Sequence, residues 1–212
     1  MPIPILLVVA LLVPVSAAAE RFVDLYGGWT FTQDDHGADT KVDRPIVTDD
    51  AEFEDSPVVG VRLGAWLEAQ RYVGGALDLS FFAPDGEGGY DGVDLRAYPI
   101  SALLMGRFPL LESDDLPGGR LQPYLGVGPS LLISEMKVAI PNVGNARDTS
   151  LDLGFDGRLG ATYLFMPGFG VFLEYRFTYF EPEYDEIHRG VEVNLRPELQ
   201  THSGQIGVTL RY

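Results

Sequence analysis

The last eight residues of the chain place Ile206, Val208, Leu210 and Tyr212 on one side of an extended backbone, and Gln205, Gly207, Thr209 and Arg211 on the other. Successive side chains of a strand point to opposite faces, so one face is wholly apolar and the other polar or small. Residues 169–180 repeat the pattern and add charge: Phe169, Val171, Leu173, Tyr175, Phe177 and Tyr179 oppose Gly170, Phe172, Glu174, Arg176 and Thr178. Residues 150–165 follow suit, with Leu151, Leu153, Phe155, Leu159 and Tyr163 against Asp152, Asp156, Arg158 and Thr162. If the charged faces looked into hydrocarbon, each basic residue at mid-depth would cost ~2–4 kcal/mol. Several such costs exceed a typical net stability of about 5–15 kcal/mol. The charges therefore point into the lumen of a barrel, and the apolar faces look into lipid.

The N-terminus indicates export. Residues 3–15 are almost purely apolar and are followed by Ser16-Ala17-Ala18-Ala19, small residues of the kind a signal peptidase reads. The run is shorter than the ~20 residues a spanning helix needs. Residues 1–19 are accordingly expected to be a signal peptide, leaving residues 20–212 as one barrel domain. No Lys or Arg precedes the apolar run, so the α-amino group is its only positive charge. Charge or Gly interrupts every later apolar stretch before it reaches helix-spanning length. The chain has no cysteine, which removes disulfides and thiolate metal sites, and its net charge of −16 argues against a nucleic-acid partner.

Eight segments show period-two patterning: 21–32, 58–68, 71–82, 93–108, 121–134, 150–165, 169–180 and 200–212. A tilted membrane strand needs roughly 9–11 residues, and each segment supplies them. The connections 33–57, 83–92, 135–149 and 181–199 are long and polar, 69–70 and 166–168 are tight, and 109–120 is intermediate. With both termini periplasmic, the long connections all fall on the extracellular side. An even strand number lets an antiparallel barrel close without an unpaired edge in lipid. The expected fold is thus an all-β, eight-stranded antiparallel transmembrane barrel with long extracellular loops and short periplasmic turns. In the fourth segment Leu95 and Ala97 fit one phase and Ile100, Ala102, Leu104 and Phe108 the other, so a bulge is expected near Pro99.

An eight-stranded barrel is just wide enough to be filled by its own side chains. The inward set contains Asp24, Asp78, Asp152, Asp156 and Glu174 against Arg62, Arg107, Arg158, Arg176 and Arg211, with Tyr26, Trp66 and Ser80 on the same face. Buried charges persist only when paired and hydrogen-bonded, and this balance allows an ion-paired core. The alternative, a proton or ion path, needs a continuous water column that a packed lumen lacks. Gly28, Gly60, Gly64, Gly74, Gly126, Gly128 and Gly160 fall on the inward face, where they make room for Tyr26, Tyr124 and Trp66. Trp29, Phe31, Phe81, Phe177 and Tyr179 mark one interfacial girdle, and Phe108, Phe165, Phe169 and Tyr212 the other.

Three stretches carry a family resemblance: Gly60-Val61-Arg62-Leu63-Gly64-Ala65-Trp66, Pro123-Tyr124-Leu125-Gly126-Val127-Gly128, and Gln205-Ile206-Gly207-Val208-Thr209-Leu210-Arg211-Tyr212. In these the chain resembles the small outer-membrane β-barrel family typified by opacity proteins and the OmpA transmembrane domain, over essentially all of residues 20–212. The departures are Tyr212 where Phe is commoner, and the absence of an appended peptidoglycan-binding domain. The resemblance implies a bacterial outer-membrane location after export through the periplasm, with outer-membrane lipid and lipopolysaccharide as surroundings. It also implies recognition of Ile206, Val208, Leu210 and Tyr212 by the barrel assembly machinery. Members serve as adhesins, stress-related surface proteins or structural barrels, so the resemblance does not choose a role.

The expected loops hold most of the charge: −7 in 33–57, −4 in 181–199 and −3 in 83–92. Loops on rigid scaffolds commonly carry recognition, so a structural or adhesin-like role toward an extracellular ligand or host surface is the leading expectation. The loops lack EF-hand spacing, so no metal or other cofactor is expected. An acylating or deacylating activity on lipid A would need a nucleophile and base within hydrogen-bond reach. His36 and His188 lie in acidic loops, and adjacent His202 and Ser203 diverge to opposite faces, so no enzyme is expected and His202 reads as an outer-interface residue. Inward Leu103, Met105, Leu164 and Phe172 admit one more alternative, a lateral passage for small hydrophobic molecules.

Overall fold

In the computed structural model, residues 20–35, 51–84, 86–88, 93–116, 118–140, 144–181, 184–188, 191–195 and 198–212 are described. The regular elements among them are all strands: β1 Glu20–Asp35, β2 Ala51–Phe53, β3 Ser56–Trp66, β4 Val73–Phe82, β5 Gly86–Gly88, β6 Val93–Arg107, β7 Leu121–Ile140, β8 Gly144–Met166, β9 Phe169–Phe180, β10 Tyr184–His188, β11 Val191–Leu195 and β12 Glu198–Arg211. Eight of these close into a barrel in the order β1-β12-β9-β8-β7-β6-β4-β3. Every neighbouring pair is antiparallel. The short strands β2 and β5 pair with each other, as do β10 and β11. The N-terminal segment 1–19 lies outside the described residues.

Closure has a measurable stagger. Following partners from Arg21 through Ala65, Gly75, Leu104, Val127, Gly157, Phe177 and His202 returns to Phe31, ten residues further along β1. A stagger of this kind requires tilted strands and sets the lumen size for a given strand number. Side chains fill that lumen. Inward Phe22, Tyr26, Trp66, Ala76, Leu103, Met105, Tyr124 and Phe172 form one buried cluster. Several inward glycines are required by close approach: an added Cβ would lie 2.3 Å from the Tyr26 ring at Gly60 and 2.5 Å from the Tyr124 ring at Gly160. The outward face is apolar, with Leu63, Leu125, Leu159, Leu173 and Ile206 exposed midway along their strands and Trp29, Phe31, Phe81, Phe108, Phe165 and Tyr212 exposed nearer the ends.

Three details depart from the sequence expectation. The turn expected at 69–70 spans 67–72, where Leu67 N–H donates to the Val73 carbonyl and Val73 N–H to that of Gln70, both at 2.9 Å. A two-residue turn at 69–70 would pair even-numbered with odd-numbered positions and set inward Arg62 beside an outward residue. The longer turn instead brings Arg62 opposite Asp78 and Trp66 opposite Gly74, inward with inward. Secondly, β6 has no bulge at Pro99. Its register with β7 is the same at Val93↔Val138 and at Arg107↔Tyr124, and Leu95, Ala97, Pro99, Ser101, Leu103, Met105 and Arg107 all face inward. Leu95 and Ala97 are inside because the lumen is apolar at that level: Ala97 lies opposite Phe82, and Leu132 and Phe180 are fully buried. Thirdly, 135–149 is not one loop, since β7 and β8 stay paired as far as Ile140↔Gly144.

Candidate functional site

The inward positions of β1, β3, β4, β8 and β9 converge on a buried charged layer. Arg62 Nε donates to Asp24 Oδ2 at 2.8 Å, and its Nη1 pairs with Glu174, which also accepts from the Tyr124 hydroxyl at 2.8 Å. Arg158 meets three carboxylates: Asp78 at 2.7 Å, Asp156 at 2.9 Å and Glu174 at 3.3 Å. Arg176 pairs with Asp156 at 2.8 Å and donates to Ser80 at 2.7 Å. The Tyr26 hydroxyl donates to both Asp78 oxygens at 2.8 and 2.9 Å, and Ser101 donates to Asp156 at 2.6 Å. Each of these charged side chains is at most 5% exposed. Four carboxylates face three guanidiniums, a formal surplus of one negative charge. The Tyr124 and Phe172 rings flank the Arg62 guanidinium, with centroids 5.4 and 5.1 Å from its carbon. Chemically, the layer holds charge in fixed pairs across the lumen.

Arg107 and Arg211 do not join it. Both lie at the periplasmic end and share Glu20: Arg107 pairs with it at 2.6 Å and Arg211 at 2.5 Å. The Arg107 guanidinium sits over the Trp66 ring at 4.4 Å and donates to the Arg71 carbonyl at 2.7 Å. Gln122 joins this belt, accepting from Arg107 at 3.3 Å and donating to the Gly118 and Gly119 carbonyls of the periplasmic turn. Asp152 is also apart. It is half-buried on the extracellular side of Asp156 and accepts from Ser150 at 2.6 Å. Sequence reasoning missed Glu20, which entered only as the first residue of the expected 20–212 domain, and missed the polar partners Ser101, Gln122 and the Tyr26 and Tyr124 hydroxyls. Their inward phase was the available signal.

Above the charged layer the lumen turns to hydroxyls and then to hydrocarbon. Thr30 and Ser203 hydrogen-bond at 2.8 Å, as do Ser101 and Ser130, and Thr178 bonds Thr201. Beyond them Val58, Phe82, Leu95, Ala97, Leu132, Phe180 and Leu199 are buried, each 3% exposed or less. Leu103, Met105, Leu164 and Phe172 are likewise buried, on the periplasmic side of the same lumen. On the outer wall His202 and Tyr175 lie 2.5 Å apart through Nδ1 and the hydroxyl, while Ser203 points inward. Ile206, Val208, Leu210 and Tyr212 are exposed on the lipid face, and Tyr212 closes the seam through paired backbone hydrogen bonds with Arg21.

This closed, lipid-coated barrel defines a class, and comparison with known proteins gives the family. The model of the outer membrane protein β-barrel domain matches residues 5–211, so the chain belongs to that family and resides in the bacterial outer membrane. Among solved structures it is similar to OprG of Pseudomonas aeruginosa (TM-score 0.62, 16% identity, covering 92% of this chain and 96% of that one). Neisserial surface protein A aligns with TM-score 0.60 and 15% identity over 91% of this chain and 97% of its own. Ail, the attachment invasion locus protein of Yersinia pestis, aligns with TM-score 0.51 and 11% identity over 92% and 99%. At these identities the likeness is one of fold. No curated protein sequence matches the chain.

Proposed function

We propose that the protein is a non-conducting outer-membrane barrel that presents acidic extracellular segments for binding positively charged partners at the cell surface. The observation that carries this reading is the buried Arg62–Arg158–Arg176 layer with its four carboxylates, which crosses the lumen and supports a role at the outer surface over one through the barrel. The segments 33–57, 83–92 and 181–199 contribute −14 of the net −16, and the paired β7–β8 ladder gives one extracellular connection a stiff stem. Ail was crystallised with a heparin analogue, sucrose octasulfate. A polyanion of that kind is repelled by the acidic surface here, which favours cationic partners instead. Neutralising the acidic residues of 33–57 should abolish adhesion of protein-bearing vesicles to a polylysine-coated surface. Unchanged adhesion would overturn the reading. Purified protein in planar bilayers should show no large, steady conductance.

The same reading takes residues 1–19 as the export signal and the C-terminal Ile206, Val208, Leu210 and Tyr212 as the segment that the assembly machinery recognises. Deleting Tyr212 should lower the yield of folded barrel in the outer membrane. Outer-membrane lipid and lipopolysaccharide surround the wall, and no catalytic step is included. Acyl release from lipid A, followed by mass spectrometry, would contradict that. A second reading draws on the apolar upper lumen formed by Phe82, Leu95, Leu132, Phe180 and Leu199. Small hydrophobic molecules would enter there and leave through the wall. Saturable alkane uptake by cells carrying the protein would favour it over surface binding.

A further inference from the structure

At the periplasmic end, opposite the proposed binding surface, a cavity of about 410 Å³ opens between the turns and the barrel floor. Its lining includes Glu20, Leu116, Gly118, Gln122, Leu164 and Arg211. That volume is within the range of small-molecule sites, roughly 300–1,000 Å³. At its floor Arg211 shares the Glu20 carboxylate with Arg107, which lies just behind the lining, so this trio by itself carries one surplus positive charge. Asp115 and Tyr212 also border the cavity, but both are exposed at its rim, where water and salt screen them.

The floor also has donors to spare. The Arg211 side chain is 7% exposed and its Nη1 is held by Glu20, yet among the described residues its Nε has no hydrogen-bond partner. Behind Glu20, its cross-strand neighbour Trp66 is 3% exposed, and its indole Nε1 is likewise without a partner among the described residues. Both groups only donate, and a buried donor is costly until an acceptor reaches it. We propose that this cavity is a binding site for a small periplasmic oxyanion, a carboxylate or phosphate, whose oxygens accept from Arg211 Nε beside Glu20, with the Arg107–Trp66 stack behind that carboxylate. The Nε edge of a guanidinium suits an oxyanion because its donors are planar and fixed.

Trp66 supplies the readout, since the chain has only one other tryptophan, Trp29, on the outer girdle. The full-length barrel carrying Trp29→Phe, folded in detergent, is titrated with acetate and in a separate arm with inorganic phosphate, chloride holding the ionic strength constant. The expected result is a saturable change in Trp66 emission and a rise in thermal midpoint with at least one anion, and the arm that saturates names the class. Arg211→Lys keeps the charge but moves the donor, and should weaken binding about tenfold or more. Gly118→Leu serves where Arg211→Lys fails to fold. A Cβ there would stand 3.5 Å from Gln122 Nε2 and 3.7 Å from Glu20 Oε2, so the side chain fills the cavity from a turn and leaves the barrel strands intact. It should abolish the response. No saturable change in either readout, or an unaltered response in Gly118→Leu, would overturn the proposal.

Discussion

The central layer and the periplasmic belt use the same two chemical groups under opposite conditions. In the centre three guanidiniums are divided among four carboxylates, all at most 5% exposed, and each arginine touches at least two acids. In the belt two guanidiniums share one carboxylate that is 34% exposed, beside an open cavity. The first arrangement is sealed and surplus in negative charge, the second vented and surplus in positive. Burial makes the difference. Where water is absent every charge needs several fixed partners, whereas at the mouth solvent or a solute completes the set.

Breaking the sealed layer should have the largest effect. Arg158→Met leaves Asp78, Asp156 and Glu174 short of a partner and should cost about 3–5 kcal/mol, read as a fall in the urea midpoint of the detergent-folded barrel. The same charge placed on the lipid side tests whether paired burial is what permits it. Leu173 is 67% exposed and lies midway between Phe169 and Phe177 on β9, so Leu173→Arg should cost about 2–4 kcal/mol in bilayer-based unfolding. Tyr26→Phe removes both hydrogen bonds to Asp78 without changing shape, and should cost about 1.5–3 kcal/mol by the same urea measurement. In the vented belt Arg107→Met should cost only about 1–2 kcal/mol, because Glu20 retains Arg211 and partial hydration. If Arg107→Met matched Arg158→Met, the contrast between the two regions would fail.

Particular strands show how far the sequence could be read. β9 was legible in the sequence, because six outward apolar residues alternate without interruption with an inward face that carries Glu174, Arg176 and Thr178, and its bounds come out as Phe169–Phe180. β6 was not, since Leu95 and Ala97 face a lumen that is itself apolar at that height, and an apolar side chain then says nothing about which way it points. The 67–72 turn was read as the tighter 69–70, because its parity is decided only by the inward pairing of Arg62 with Asp78. Within the charged set, phase selected the inward face, yet it could not separate Arg107 and Arg211 at the mouth from Arg62, Arg158 and Arg176 in the centre. Asp152, equally inward by phase, lies on the extracellular side with Ser150, while Glu20 takes the belt position opposite two arginines.

What the sequence determined by itself is the solvent on each side of the wall, because alternation is a local consequence of strand geometry and needs no knowledge of the rest of the chain. Partnership was decided by the tertiary structure alone. Arg62 reaches Asp24 across 38 positions and Glu174 across 112, and those distances close only once eight tilted strands are staggered by ten residues into a cylinder. The stagger sets which inward positions share a height, and height decides whether a charge is sealed among several partners or left at the mouth with a free donor.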